Sequence, residues 1–377
     1  MEYRQYRNTD LKTSLLGLGC MRFPTKDRMI DFEAAEKIID YAYTHGINYF
    51  DSAYNYGVDG DSEKTSGKIL SKYPRDSYFI ATKLPPTKTE SPEMIEATLK
   101  EQLSRWNVSY FDFYLMHNLS KDSIETFIQP HVIETLVEMK NRGLIRGIGF
   151  SSHADPETLE RFLKHHKWDI AQMQFNYFDW TYQDAKGQYE LFEKYDVPVV
   201  VMEPVRGGRL SSITPEADAM LKEHNPNASI SSWGIRFAAG FPQIQVVLSG
   251  MNAMEQIVDN VETISNFKPL DNEEQALVMK AADMLKEQAL IPCTSCNYCT
   301  ATCPAQLDIP MFMSTCNNYK LSPSFFRLLD LKSLPEEKLP SACIDCRVCV
   351  SKCPQDIEIP DRIHELAEIF ANTTFPG

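Results

Sequence analysis

Short apolar runs recur along the chain at long spacing. They are LLGLGCM (15–21), INYFDSA (47–53), YFIATKL (78–84), DFYLMHN (112–118), IRGIGFS (145–151), IAQMQFN (170–176), VPVVVME (197–203) and IQVVLSG (244–250). Each run is continuous rather than alternating, the pattern of parallel strands covered on both faces. Helical stretches lie between them. Residues 31–46 place apolar side chains at helical spacing and stop at Gly46. Residues 91–107 open with Ser91 as N-cap and Pro92 at the first helical position, 133–143 end in a basic turn and Gly143, and 155–166 read as a further helix. Strands alternating with helices in this number predict an α/β fold, a (β/α)8 TIM barrel. An open doubly wound sheet is the competing topology, but GLGCMR (17–22) lacks the third glycine of the G-x-G-x-x-G turn that such a sheet carries after its first strand. The segment YRQYRNTDLKTSLLGLG, at 3–19, can hold an extra hairpin ahead of the barrel.

The pattern changes near residue 270. LDNEEQALVMKAADMLKEQ (270–288) reads as an amphipathic linking helix, and the chain beyond it is punctuated by cysteine and proline. The expected organisation is a barrel over 1–285 and a small, mainly helical second domain over 286–377. In the latter, SPSFFRLLDLKSLPEEKLP (322–340) and DRIHELAEIFAN (361–372) read as helical. An internal repeat runs through it. CTSCNYCTATCP (293–304) returns as CIDCRVCVSKCP (343–354), and each copy is followed by a similar tail, AQLDIP (305–310) and QDIEIP (355–360).

Composition narrows the function classes. With 43% hydrophobic and 24% charged residues the chain can build a sizeable core. A net charge of −14 repels phosphate backbones and anionic lipid heads, so neither nucleic acid nor a membrane surface is expected as a partner. The polar start MEYRQYRNTD lacks the apolar core of a signal peptide, and no run is long enough to span a bilayer. A cytoplasmic location is expected. Thiols stay reduced there, and clustered cysteines are more often metal ligands than disulfides.

The repeat spacing C-x2-C-x2-C-x3-C-P suits an iron–sulfur cube. Three thiolates on one tight loop reach one cluster, and the fourth leaves with the chain at the proline to ligate the other. Cys293, Cys296 and Cys299 are therefore paired with Cys353 around one [4Fe–4S] centre, and Cys343, Cys346 and Cys349 with Cys303 around a second. Structural zinc would use paired C-x2-C motifs with a longer gap, or histidines. The module resembles the two-cluster bacterial ferredoxins, and its long interval between Cys303 and Cys343 favours a helical ferredoxin-like arrangement. Cys20 and Cys316 stand apart from the repeat as structural residues.

Polar residues sit where the predicted strands end, the face of such a barrel that carries chemistry. FDSAYNYG brings Asp51 and Tyr56, ATKL brings Lys83, and LMHN brings His117. A lysine ammonium lowers the pKa of a nearby tyrosine, an aspartate holds the lysine, and a histidine orients a substrate oxygen. Together they can protonate a carbonyl oxygen as hydride reaches its carbon.

FDSAYNYG, ATK, DFYLMHN, GFSSH and QMQFN, in this order, resemble the aldo-keto reductases, and with the cysteine module the chain resembles the subgroup carrying a C-terminal ferredoxin-like domain. The resemblance implies Tyr56 as general acid/base, Lys83 and Asp51 as the pair that sets its pKa, and His117 as the group orienting the substrate. It also implies NADP or NAD bound extended across the barrel mouth. Ser151, Ser152 and Gln172 match the positions holding the nicotinamide carboxamide. Met21, Arg22, Met202, Glu203, Pro204, Arg206, Gly207, Gly208, Gly250, Met251, Gln256 and Asn260 complete the cofactor contacts it implies. Gly250 and Gln256 stand where relatives that favour NADP carry a lysine and an arginine, which leaves NADP and NAD both open. Met202 replaces a stacking aromatic ring, and Ser152 an asparagine.

The expected function is an NAD(P)H-dependent oxidoreductase acting on a small carbonyl substrate. The two clusters would serve electron exchange with a ferredoxin or other electron partner, or the structure of the small domain. The alternative is a nucleotide-binding redox sensor or electron-transfer protein in which carbonyl reduction is secondary.

Overall fold

The computed structural model describes the chain except residues 8, 28, 122, 292, 294–298, 322, 354–356 and 376–377, and the side chains at 288, 289 and 321. The backbone packs as two compact units, Met1–Arg206 with Asp218–Met279, and Gly207–Ala217 with Lys280–Gly377. They separate after Met279, inside the helix Asn272–Ala289 that also carries the predicted border at 285.

The first unit is built on eight strands: β1 (Leu16–Gly19), β2 (Tyr49–Asp51), β3 (Phe79–Leu84), β4 (Phe111–Leu119), β5 (Ile145–Ser152), β6 (Ile170–Gln174), β7 (Val199–Met202) and β8 (Ile244–Ser249). All neighbours pair in parallel and β8 pairs with β1, so the sheet closes into a barrel in chain order. Every apolar run of the sequence became one of these strands. The anticipated hairpin is Tyr3–Gln5 paired antiparallel with Lys12–Ser14.

Helices follow each strand: α1 (Phe32–Thr44), α2 (Asp61–Leu70), α3 (Pro92–Trp106), α4 (Pro130–Asn141), α5 (Pro156–Leu163), α6 (Ala185–Lys194), α7 (Ile230–Ala239) and α8 (Met254–Ser265). Their starts are chemically specified. Asp31, Ser91 and Asp155 each accept a hydrogen bond from the backbone N–H three residues on, using a donor the first turn would otherwise leave unpaired.

Inside the barrel the period-two alternation of strands sorts side chains into layers. Tyr49, Ala81, Phe113, Leu115, Ile170, Val200, Val246 and Leu248 form one apolar cluster, joined by Tyr6 from the segment after the first hairpin strand. Two positions further along their strands the same parity reaches Asp51, Lys83, His117 and Gln172. The apolar layers thus end at a polar rim on the C-terminal side.

In the second unit no described residue of 280–377 is in a strand, and the helices Ile309–Leu321 and Ile359–Ala371 pack together. The first of these was not anticipated. The described part of 322–340, expected to be helical, is helical in three short pieces, Phe325–Leu328, Leu329–Lys332 and Glu336–Lys338, rather than in one run. Pro335 and Pro340 lack the N–H that a continuing helix needs and push the residues before them into extended geometry. A core of Ile291, Leu307, Phe312, Met313, Leu328, Leu331, Ile359, Ile363 and Leu366 surrounds Cys316 and is packed against the repeat cysteines. Among the described residues no helix is long and apolar enough to cross a membrane.

Close approach of α2 and α3 depends on one residue. A Cβ at Gly67 would lie 2.5 Å from Trp106 Cα and 2.6 Å from its carbonyl carbon, both backbone atoms. Gly→Ala in a helix ordinarily gains about 0.5–1 kcal/mol. Gly67→Ala should reverse that sign and cost about 1–3 kcal/mol through overpacking. A urea melt that leaves the midpoint unchanged or raised would contradict this packing.

Candidate active site

Asp51 ends β2, Lys83 lies near the end of β3 and His117 near the end of β4, while Tyr56 sits on the loop between β2 and α2. That loop is held at both ends of the tyrosine. Tyr56 N–H donates to Ala53 O at 3.1 Å, and Ser62 N–H, in the first turn of α2, donates to Tyr56 O at 3.2 Å. Gly57 and Gly60, at φ 74° and 72°, supply left-handed backbone that lets the loop turn into the helix.

The four side chains meet. Lys83 Nζ donates to Asp51 Oδ1 at 2.6 Å and to Ser52 O at 2.7 Å, with both members of the pair buried. The same ammonium lies 5.1 Å from the centroid of the Tyr56 ring, and the His117 ring meets Tyr56 edge-on with centroids 5.8 Å apart. Tyr56 and His117 are half-buried, so the reactive edge faces outward from a buried ion pair.

The electrostatics follow from burial and charge. Burial works to lower the Lys83 pKa, but the Asp51 carboxylate overrides it and holds the ammonium above its ordinary value. Burial raises the Tyr56 pKa, and the Lys83 charge pulls in the expected downward direction. The net direction is upward, so the phenol stands protonated and able to donate. His117 is pushed down to about 3, first by burial and then by the Lys83 and His153 charges, so its imidazole is neutral at pH 7.

Of the other predicted contacts, Ser151, Ser152 and Gln172 are buried at the ends of β5 and β6. Ser151 Oγ accepts from Asn118 N–H at 2.8 Å, and Ser152 Oγ from Ala154 N–H at 3.1 Å. Gln172 Oε1 is buried without a hydrogen-bond partner among the described residues, as is Asp51 Oδ2. An orphaned amide oxygen at this rim fits an incoming carboxamide N–H.

Met21 and Arg22 are exposed after β1, and a Cβ at the exposed Gly250, just past β8, would lie 3.1 Å from Arg22 Cδ. Met251 is buried, and Gln256 Oε1 accepts from Asn252 N–H at 2.9 Å. Asn260 Nδ2 donates to Ser249 Oγ at 3.1 Å.

After β7, Met202 is half-buried and Pro204 buried. Glu203 has φ 54°, and its carbonyl accepts from Asn176 Nδ2 at 3.0 Å. Arg206 is buried completely, with Nε donating to Asp179 at 3.1 and 3.2 Å. Its two terminal nitrogens have no hydrogen-bond partner among the described residues. Gly207 and Gly208, at φ 65° and 98°, are exposed and belong to the second unit.

In that unit Cys299 and Cys349 are buried, Cys293, Cys303, Cys343 and Cys353 half-buried, and Cys346 exposed; Cys296 lies outside the described residues. The thiols are neighbours across the repeat. Burial raises the Cys343 pKa, and the charges of Cys303 and Cys346 raise it further. Burial likewise pushes Cys349 to about 11, with Cys343 and Cys346 adding to it. Cys303 of the first motif thus lies near Cys343 of the second, and Cys343 near Cys346 and Cys349, although the described residues do not gather three such side chains into a closed metal site. Cys20 is fully buried beside the Asp51–Lys83 pair, and burial pushes its thiol up to about 12, so it is inert. Sequence reasoning passed over Glu63, Thr82, Gln102 and Arg105, which lie immediately behind Lys83. The sequence signal was one glutamate set among the small residues Ser62, Thr65, Ser66 and Gly67 of α2.

A closed eight-stranded parallel barrel with its polar group at the C-terminal rim defines the class of (β/α)8-barrel proteins whose site is built on strand ends. The chain belongs to the aldo/keto reductase family, whose profile matches residues 15–283, and residues 292–358 match the 4Fe-4S dicluster domain. It is 26% identical over 304 residues to YqkF, an uncharacterized oxidoreductase of Bacillus subtilis, covering 73% of this chain and 94% of that protein. It is 24% identical over 305 residues to the NADH-specific methylglyoxal reductase of Escherichia coli, covering 68% and 91%. Among solved structures, the holo form of aldo-keto reductase AKR11C1 from Bacillus halodurans superposes with a TM-score of 0.61 at 28% identity, covering 74% of this chain and 96% of that one.

The neutral His117 has a measurable consequence. The unfolded chain binds a proton at this position below about pH 6.5, whereas the folded chain binds it only near pH 3. Stability should therefore fall as pH drops through that window. Between about pH 7 and pH 4.5, His117→Leu should lose less thermal stability than the parent. Parallel melting curves for the two proteins would show that His117 is not held neutral.

Proposed function

We propose that the chain is an NAD(P)H-dependent reductase of aldehydes or ketones in which Tyr56 donates the proton. The observation that carries this reading is the buried Asp51–Lys83 pair with its ammonium 5.1 Å from the Tyr56 ring. Reduced nicotinamide, when bound at the barrel mouth, supplies the hydride. Lys83 keeps a fixed positive charge where the phenolate forms, so the charge left behind by proton transfer is stabilised without rearrangement. Asp51 keeps that ammonium charged and immobile. Neutral His117 hydrogen-bonds the carbonyl oxygen and turns it toward Tyr56. Gln172, Ser151 and Ser152 hold the carboxamide, and the residues after β1, β7 and β8 hold the rest of the nucleotide. The name of the Escherichia coli relative, an NADH-specific methylglyoxal reductase, supports a small carbonyl substrate.

Residues 286–377 carry two [4Fe–4S] clusters in this reading, one on Cys293, Cys296, Cys299 and Cys353 and one on Cys343, Cys346, Cys349 and Cys303. The grouping of Cys303 with Cys343 supports the exchange of the fourth ligand between motifs. The clusters serve electron exchange with a ferredoxin or other one-electron partner, or the structure of the small domain, in a protein of the cytoplasm. Carbonyl reduction by hydride needs no such carrier, and the dicluster match therefore favours a second reading, a nucleotide-binding redox sensor or electron-transfer protein with secondary reductase activity.

Tyr56→Phe should lower kcat for methylglyoxal by about 10²–10⁴-fold while nucleotide binding, read by fluorescence, stays near that of the parent. Unchanged turnover would remove Tyr56 from its role. Anaerobic addition of NADH or NADPH without a carbonyl separates the two readings. Reduced clusters in the EPR spectrum with little methylglyoxal turnover favour the second; normal methylglyoxal turnover favours the first, with reduced clusters then assigning them electron exchange and oxidised clusters a structural role.

A further inference from the structure

The outside of β3 carries a polar cluster that the reductase reading does not use. Strand alternation sends Lys83 into the barrel and Thr82 outward toward α2 and α3. Glu63 of α2 is completely buried there. Its Oε1 accepts from Thr82 Oγ1 at 2.5 Å, Gln102 Nε2 at 2.8 Å and Trp106 Nε1 at 3.3 Å, and its Oε2 from Arg105 Nη1 at 3.0 Å.

The cluster reaches the backbone of both chemical segments. Arg105 Nη1 also donates to Tyr54 O at 2.8 Å, and Gln102 Nε2 to Lys83 O at 3.2 Å. Tyr54 N–H donates to the same Lys83 O at 3.4 Å. The Arg105 guanidinium stacks 4.3 Å from the Tyr54 ring centroid and fills the space beside Gly60, where a Cβ would meet it at 2.2 Å. One buried carboxylate and one arginine therefore tie the loop leading to Tyr56 to the strand bearing Lys83. A buried ion pair is a poor way to gain stability, because an apolar pair of similar volume usually packs as well. What it provides is direction, since a guanidinium fixes two acceptors in one plane.

We propose that Glu63 and Arg105 are positioning residues that hold the Tyr54–Tyr56 segment against Lys83 from outside the barrel, and so set the Tyr56–Lys83 separation for proton transfer. The inference rests on the reading of Tyr56 as the proton donor. Glu63→Gln keeps the shape and an acceptor for Thr82. It can turn an amide N–H toward Arg105, and two donors then face each other. Arg105 keeps only its outer partner, Glu101 Oε1 at 2.7 Å from Nη2, and is drawn toward it; the Tyr54 carbonyl is released, and the phenol drifts from the ammonium. A phenolate farther from a cation is less stable, so the Tyr56 pKa must rise.

The test uses full-length protein labelled with [13Cζ]tyrosine, with the Tyr56 resonance identified by its loss in Tyr56→Phe. In Glu63→Gln the Tyr56 titration midpoint should move upward. The pH profile of kcat for methylglyoxal with NADH should move the same way, and kcat should fall about 10-fold or more with nucleotide affinity unchanged. Arg105→Lys keeps a positive charge but has one compact ammonium for the three acceptors Glu63, Tyr54 O and Glu101, and should show a smaller shift in the same direction. It also serves as the test should Glu63→Gln fail to fold. A lowered melting temperature with an unmoved Tyr56 midpoint and pH profile is the result of a merely structural cluster and overturns the proposal. If Tyr56→Phe retains full turnover, the proton-donor reading fails and this proposal with it. If Tyr56→Phe is inactive and Glu63→Gln titrates like the parent, only the positioning role is overturned.

Discussion

The ammonium of Lys83 is held 2.6 Å from a carboxylate in a place nearly without water, and the site is organised around that contact. Two charges taken out of solvent cost several kcal/mol each, and their attraction offsets this only with close geometry and further hydrogen bonds. Both are present, since Lys83 also donates to Ser52 O at 2.7 Å. Adjacent parallel strands make this possible, because Asp51 on β2 stands in register with Ala81 on β3, two residues before Lys83. A long side chain rising from β3 thus meets a short one ending β2. The pair then acts on what lies above it. Its positive charge faces the Tyr56 ring and helps keep His117 neutral.

A barrel can hold such a pair because everything below it is dry. Tyr6, Tyr49 and Phe113 fill the interior beneath the rim, and aromatic packing of this kind excludes the water that would screen a buried charge. Outside β3, Glu63, Gln102 and Arg105 complete the support, so the strand carrying Lys83 is held by polar groups on one side and apolar layers on the other. Gly67 belongs to the same arrangement, because the approach of α2 to α3 brings Glu63 within reach of Arg105.

The second unit solves a different problem. It is too small to rely on a large core, and its apolar cluster is interleaved with the repeat cysteines themselves. Metal–thiolate bonds at such positions tie distant turns together and contribute folding energy directly. The short turns between Ile309–Leu321 and Ile359–Ala371 suit such a design, in which the loops carrying the repeat cysteines, rather than long helices, would have to be set in place.

The strands, and the placing of Asp51, Tyr56, Lys83 and His117 at one rim, were legible because each depends on local pattern. A run such as YFIATKL is apolar on both faces, and a strand in a closed parallel sheet needs that; Asp51, Lys83 and His117 end such runs and Tyr56 lies just past one. The cysteine spacing was equally local, and it fixes which thiols share a loop. The stretch 322–340 is helical only in short pieces, because Pro335 and Pro340 cannot continue a longer run. What no stretch of sequence could reveal were the relations between strands and helices far apart in the chain. Glu63 reads as an ordinary helix glutamate until α3 brings Gln102 and Arg105 to it. Arg206 reads as a cofactor contact until it is found completely buried, with its Nε on Asp179. Net pKa directions belong to the same class, since the sequence places a cation near Tyr56 but burial, which only the packed barrel determines, outweighs it. Local periodicity and spacing decide which residues can face one another; closure of the barrel decides which do, because burial and distance are properties of the whole packing.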